Sequence, residues 1–132
     1  IGASVIILPY RSPLEIARAF AGIDQLSGGR CILGVGVGWA KQEYAALNVP
    51  FEKRGAIANE YLAAIRQMWT AGISSFAGEF IRFTDVDSRP MPVQSPHPPI
   101  WVSIPSRMTD AQRGTPTTPG ACWKSLPTKS WT

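Results

Sequence analysis

Glycine occupies every second position of the segment Gly34-Val35-Gly36-Val37-Gly38. Alternate residues of a β-strand point to the same face, so this spacing predicts a strand with one face that carries no side chains. Glycine inside a strand weakens it, and it is expected where another group must approach the backbone closely. The segment therefore predicts a strand against which either a cofactor ring or large side chains from neighbouring strands are packed.

The same glycines differ from the fingerprint of dinucleotide-binding folds. That fingerprint is G-x-G-x-x-G at the start of a helix, with an acidic residue about 20 positions later. Here Trp39 follows Gly38, and no acidic residue ends a following strand at the required distance. A Rossmann-type nicotinamide site is therefore not favoured.

Apolar strand-like segments alternate with amphipathic helical segments over residues 1–102. The predicted elements are a strand over Ala3–Leu8, a helix over Pro13–Leu26, a strand over Cys31–Val37, a short helix over Lys41–Leu47, a longer helix that ends near Trp69, a hairpin over Phe76–Phe83 and a strand over Ile100–Val102. Such alternation is typical of a parallel sheet with helical crossovers, so the predicted fold class is α/β.

The first predicted helix carries signals at both ends. Ser12 and Glu15 have the spacing of a capping box, and Pro13 suits the first helical position. Gly28 and Gly29 are expected to end the helix in a left-handed conformation.

Charge and cysteine content narrow the class of partner. The formal net charge is +4, but residues 1–102 hold nine basic and eight acidic residues, so most of the excess lies in residues 103–132. No basic stripe interleaved with aromatic residues is present, which argues against nucleic-acid binding. The apolar run Val5–Leu8 is far too short to span a membrane.

Cys31 and Cys122 fit no metal-ligand spacing, which favours a buried Cys31, no metal site and a cytoplasmic setting.

Residues 103–132 differ in character from the rest of the chain. They are rich in Ser, Thr and Pro and show no apolar period, so we expect them to be irregular or disordered. The predicted division is a folded domain over 1–102 and an irregular tail over 103–132.

Seven short segments carry a resemblance to a known family. They are Gly2–Pro9, Leu26–Arg30, Leu33–Trp39, Pro50–Gly55, Met68–Trp69, Phe76–Phe80 and Pro96–Val102. In this order and spacing they resemble the bacterial luciferase-like monooxygenases, a family that includes coenzyme F420-dependent dehydrogenases and reductases.

The resemblance implies an incomplete (β/α)8 TIM barrel fragment that corresponds to about strands 3 to 5 of eight. The family binds FMN or coenzyme F420 at the C-terminal mouth of its strands, so one of these cofactors and a small-molecule substrate are implied. The family's first two strands and its later phosphate-binding loops have no counterpart here, a pattern that a truncated or frameshifted reading frame would produce. We therefore expect weak or absent cofactor binding by this chain alone, and either self-association or binding to a complementary barrel fragment.

The resemblance also implies site residues. In several F420-dependent members a non-prolyl cis peptide lies behind the deazaflavin ring at the position of Ser4-Val5, although an ordinary trans strand fits this sequence equally well. The family's cofactor contacts after the glycine strand correspond to Gly36, Val37, Gly38 and Gln42.

Trp39 stands where one sugar-phosphate dehydrogenase branch of the family carries a catalytic Glu. Because an indole does not titrate, we do not expect that activity, and we interpret Trp39 as a packing residue or a wall of the substrate pocket. Glu43 is interpreted as a solvated helix carboxylate and His97 as a loop residue. The sequence indicates no catalytic acid or base.

Three hypotheses remain open at this point. The chain is part of an FMN- or F420-dependent oxidoreductase or monooxygenase that acts on a small organic molecule, or an inactive product of a truncated or frameshifted gene that binds no cofactor. The third hypothesis, a small binding or assembly module, would require an exposed recognition surface that the sequence does not indicate.

Overall fold

The computed structural model describes residues 1–103, which form an α/β unit built on a parallel sheet. Its elements are β1 (Ile6–Ile7), α1 (Pro13–Ser27), β2 (Leu33–Gly36), α2 (Lys41–Ala46), α3 (Arg54–Ala71), β3 (Ile73–Ala77), β4 (Arg82–Asp87) and β5 (Ile100–Val102). The parallel sheet has the order β1-β2-β5, with β2 in the centre, and β3 and β4 form a separate antiparallel hairpin. The predicted α/β class and parallel pairing are confirmed. The tail that was predicted to be irregular, residues 103–132, lies outside the described residues except for Ser103.

The hydrophobic core lies between one face of the parallel sheet and the helices α1 and α3. Leu33, Val35 and Val37 are buried against the apolar residues of these helices, and they alternate with the glycines of β2. Trp69 of α3 donates its indole N–H to the carbonyl oxygen of Ala17 in α1 at 2.8 Å. This buried hydrogen bond satisfies the polar edge of the indole and ties the two helices together. The glycines therefore face the side of the sheet that α1 and α3 leave open.

The two ends of α1 differ in how well they were predicted. Gly28 is left-handed, with φ of 64°, and the N–H of Gly29 donates to the carbonyl oxygen of Asp24 at 2.9 Å, which confirms the glycine stop. The capping box was wrong, because Ser12 stands at the N-cap but its side chain makes no capping hydrogen bond. Ser12 is exposed, so water can satisfy the amide groups of the first turn instead.

The first two strands are shorter than predicted. β1 spans only Ile6–Ile7, because the segment before it bends away from regular pairing and Leu8–Tyr10 forms a turn of 3-10 helix. Cys31 precedes β2 and is buried, as expected, and burial raises the pKa of its thiol. The predicted hairpin is confirmed but is longer than expected, since residues 73–77 pair with residues 82–87.

Glu60 on α3 holds the turn of this hairpin. Its carboxylate accepts three backbone N–H groups at 2.9, 2.8 and 2.7 Å, from Glu79, Phe80 and Ile81. A Cβ atom at Gly78 would lie 2.1 Å from Oε1 of Glu60, so the turn admits only glycine at this position while the carboxylate is in place.

Asp24 on α1 anchors the proline-rich segment that leads to β5. This fully buried carboxylate accepts the backbone N–H groups of Val93 at 2.8 Å and Gln94 at 3.0 Å, and the side-chain amide of Gln94 at 2.6 Å. Burial raises the pKa of Asp24, but the hydrogen bonds from Gln94 and Val93 outweigh it and hold the pKa below its usual value. The carboxylate is therefore ionised at neutral pH and holds the backbone of Val93 and Gln94 in the segment that precedes β5.

Two classes of feature are missing from residues 1–103. No helix in this range is long and apolar enough to cross a membrane. The same residues bring together no group of three His, Cys, Asp or Glu side chains that could hold a metal ion. His97 lies in the segment before β5, with its ring centre 5.7 Å from that of Trp69, in keeping with a loop residue.

Candidate functional site

The segments that follow β1 and β2 leave the sheet at the same edge, because these strands are parallel. They are the turn Leu8–Tyr10 and residues 37–40, which lead into α2. We call this edge the carboxyl edge of the sheet. Ligand sites of parallel α/β proteins are built at this edge, from the loops that leave it.

The chain before β1 passes very close to β2. Gly2 pairs with Ile32 and Ile6 pairs with Val35, so the first segment holds one residue more than its partner between these pairs. The extra residue makes residues 3–5 a bulge. A Cβ atom on Gly34 would lie 1.9 Å from the carbonyl oxygen of Ala3, so the backbone of the bulge fills the space of that side chain.

Val5 covers the next glycine of β2. Its Cγ2 atom lies 3.2 Å from the position that a Cβ atom of Gly36 would take, and the Ser4–Val5 peptide bond is cis. Val5 nevertheless stays 36% exposed, on the sheet face opposite α1 and α3. The glycine face of β2 is therefore in direct contact with the bulge that precedes β1, through the carbonyl oxygen of Ala3 at Gly34 and the side chain of Val5 at Gly36.

Gly38 turns the chain out of the sheet at the carboxyl edge. Its φ of 67° is a left-handed conformation, and a Cβ atom there would lie 3.1 Å from Cγ2 of Ile7 and 3.4 Å from the hydroxyl of Tyr10. The following residue, Trp39, is 81% exposed, so it packs against no core. Its indole is available as a wall for a ligand at this edge.

Two tyrosines support the loop after β2. Tyr10 donates its hydroxyl to Oε2 of Glu43 at 2.9 Å, and burial, followed by the nearby Glu43 carboxylate, raises the pKa of Tyr10. Tyr44 is fully buried and donates its hydroxyl to the carbonyl oxygen of Val37. Burial raises the pKa of Tyr44 to about 12, so this hydroxyl is protonated and can donate at neutral pH.

The structure brings most of the predicted site residues to one region. Val5 and Gly36 are in contact, Val37 and Gly38 follow directly at the carboxyl edge, and Ser4 is exposed beside Val5. Gln42 lies exposed in the first turn of α2, on the segment that continues from this edge.

Sequence reasoning missed Tyr10 and Tyr44, and it treated Glu43 as solvated only. Glu43 is exposed, but it accepts the hydroxyl of Tyr10 from 33 residues away. No local spacing signals such a contact, because it depends on the common edge of β1 and β2. The one usable signal was the tyrosine in the helix that directly follows a glycine-rich turn.

Comparisons with known proteins identify similar sequences. The family model described as luciferase-like monooxygenase matches residues 1–107. The FMNH(2)-dependent dimethylsulfone monooxygenase of Pseudomonas putida is 38% identical over 108 residues, which cover 80% of this chain and 30% of that protein.

Solved structures give the same result for the fold. The monooxygenase RslO1 from Streptomyces bottropensis superposes with a TM-score of 0.73 at 29% identity, over 76% of this chain and 31% of its own. The coenzyme F420-dependent tetrahydromethanopterin reductase from Methanopyrus kandleri superposes with a TM-score of 0.65 at 23% identity, over 76% of this chain and 33% of its own. The chain therefore spans about a third of the length of the proteins that it matches.

Proposed function

Because the chain belongs to the luciferase-like monooxygenase family, we propose that it forms one wall of the ring-binding site of an FMN- or coenzyme F420-dependent oxidoreductase. Its substrate would be a small organic molecule, and its setting the cytoplasm. When bound, the flavin or deazaflavin supplies the redox chemistry, and the protein orients it.

The exposed Val5 side chain is the observation that carries this proposal. It stands on the open face of the sheet, beside the carboxyl edge, and is supported from below by Gly36. An apolar side chain held against the backbone offers a preformed apolar surface, which is the kind of lining that ligand sites use and which suits the face of a ring. The residues present therefore fit a ring cofactor on this face.

The other site residues take roles around that surface. Ser4 and Val5 would lie behind the ring, and Gly36, Gly38 and Gln42 would line its edge together with the backbone of Val37, whose side chain is packed in the core. Trp39 would form a wall of the substrate pocket. These residues bind and orient, and none is assigned a proton-transfer role.

The activity of the complete relatives is itself a proposal for this chain, which spans about a third of their length. The competing hypothesis is an inactive product that binds neither cofactor. It makes the opposite prediction in the same binding experiment.

Titration of the 15N-labelled full chain with FMN, and separately with coenzyme F420, tests the proposal. We expect one of the two to shift the amide signals of Val5, Gly36 and Gly38 selectively. Val5→Asp should suppress these shifts, because it places a charge against the ring. Val93→Asp is the matched control, since Val93 is also exposed, at 60%, but lies in the segment anchored by Asp24. If neither cofactor shifts these signals, or if the shifts are spread over the whole surface, the proposal is wrong.

A further inference from the structure

The loop after β2 has little intrinsic preference for one conformation. Val37 is the first residue beyond β2, and glycines stand on both sides of it. Glycine is conformationally permissive, so the backbone at Gly36 and Gly38 does not define the path of the loop by itself. The Val37 side chain is packed in the core, so what a further contact must hold is the peptide bond between Val37 and Gly38.

Tyr44 supplies that contact. Its hydroxyl donates to the carbonyl oxygen of Val37, the residue between the two glycines. The last backbone pairing of β2 with β1 is at Gly36. The hydrogen bond from Tyr44 therefore holds the backbone at the first residue beyond that pairing.

The ring of Tyr44 is held in place independently of its hydroxyl. Its centre lies 4.8 Å from that of Tyr10 and 5.2 Å from that of Phe51, and both pairs are edge-to-face. The guanidinium of Arg54 lies 4.0 Å from the Phe51 ring centre and also donates to the carbonyl oxygen of Phe51 at 3.0 Å. These contacts fix where the Tyr44 hydroxyl points, and removal of the hydroxyl alone leaves them intact.

We propose that Tyr44 is a positioning residue whose hydroxyl fixes the backbone of residues 37–39 and thereby shapes the cofactor site. The affinity part of this inference rests on the proposed function, in which Gly36, Val37 and Gly38 line the edge of the ring. Tyr44 itself is buried and acts only through Val37.

Tyr44→Phe tests the inference, because it removes one hydroxyl and keeps the ring. In 15N relaxation without cofactor, we expect the order parameters of residues 37–39 to fall from about 0.85 to below about 0.6. In the titration with FMN or coenzyme F420, we expect affinity to weaken by about five- to tenfold, as for the loss of one hydrogen bond.

Ser88→Ala is the matched control. The Ser88 hydroxyl is also buried, and its single proton is shared between two backbone carbonyl oxygens at the far end of α3, those of Met68 at 2.7 Å and Gly72 at 2.6 Å. Ser88→Ala should lower the thermal midpoint by about as much as Tyr44→Phe does. It should leave the order parameters of residues 37–39 and the cofactor affinity unchanged.

The outcomes separate the inference from the proposed function. Unchanged order parameters at residues 37–39 in Tyr44→Phe overturn the inference, as does an affinity loss of equal size in Ser88→Ala. A wild-type chain that responds to neither cofactor overturns the proposed function and the affinity part with it. The relaxation data then decide whether Tyr44 holds the loop.

Discussion

Replacement of Gly34 by alanine tests whether the close approach of the bulge to β2 is a requirement of this fold. The added methyl group would lie 1.9 Å from the carbonyl oxygen of Ala3 and 3.1 Å from its carbonyl carbon. Comfortable contact between such atoms needs about 3.5 Å, so they would have to separate by roughly 1.5 Å. Both atoms of Ala3 belong to the backbone, so no side-chain rotation can relieve the clash.

We expect Gly34→Ala to lower the free energy of unfolding by about 3 kcal/mol, at the upper end of the usual cost of overpacking. We expect a cost near the upper end of that range because the whole bulge must move and Val5 must lose its contact with Gly36. Urea unfolding followed by circular dichroism measures the change. With a slope of about 1 to 3 kcal/mol per molar urea, the midpoint should fall by at least about 1 M.

Gly22→Ala provides the opposite expectation for the same chemical change. Gly22 lies inside α1, and a Cβ atom there would meet nothing within 4 Å. Alanine is the better helix former, so this variant should gain up to about 1 kcal/mol. If Gly34→Ala matches the wild type or Gly22→Ala in its midpoint, the explanation of the glycine strand by close backbone packing is wrong.

Asp24→Asn should lower the free energy of unfolding by about 2 to 3 kcal/mol, because buried N–H groups lose an ionised acceptor. The folded pKa of Asp24 lies below its unfolded value, so this contribution is complete above about pH 4 and is lost as the pH falls through the folded pKa. Urea midpoints of wild type and variant should therefore converge in acid, and a constant difference at every pH would contradict this. Trp69→Phe should cost about 2 kcal/mol through the lost hydrogen bond to Ala17 and the space left behind, and an unchanged thermal midpoint would refute that role. Equilibrium dialysis should find no sub-micromolar binding of FMN or coenzyme F420, because the chain spans about a third of the length of the proteins that it matches and would offer only one wall of the proposed site, and tight binding of either would show this expectation to be wrong. Light scattering after size exclusion should find species larger than one chain, because within residues 1–103 the outer edge of β1 pairs with no further strand, and a stable monomer would contradict that.

The sequence predicted the elements of the fold well where the signal is local. The helix over Pro13–Leu26 differs from α1 by one residue, because Pro13 and Gly28 mark its ends through their own backbone preferences. The strand over Ile100–Val102 has the observed bounds. The predicted cap at Ser12 was wrong. A capping motif shows that a side chain could accept the N–H groups of the first turn, but at an exposed helix end water can satisfy the same groups.

The site was predictable only in part. The alternating glycines correctly indicated a close approach to the backbone, but not that Ala3 and Val5 make it, since that depends on one extra residue in the facing strand. The hydrogen bond from Tyr44 to Val37 spans only seven positions, yet it follows from the packing of α2 and could not be read from residue spacing.

Glu60 and Gly78 should behave as a single unit in sequence variation. The Glu60 carboxylate occupies the space that any side chain at position 78 would need, with only 2.1 Å between Oε1 and the Cβ position. A substitution at Gly78 therefore expels the carboxylate and leaves the amides of the turn without their acceptor, after which an acid at position 60 has no remaining role there. Loss of one residue thus removes the selection on the other, and the two substitutions together should cost less than the sum of their separate costs. Among relatives that keep this hairpin, the two positions are expected to change as a pair.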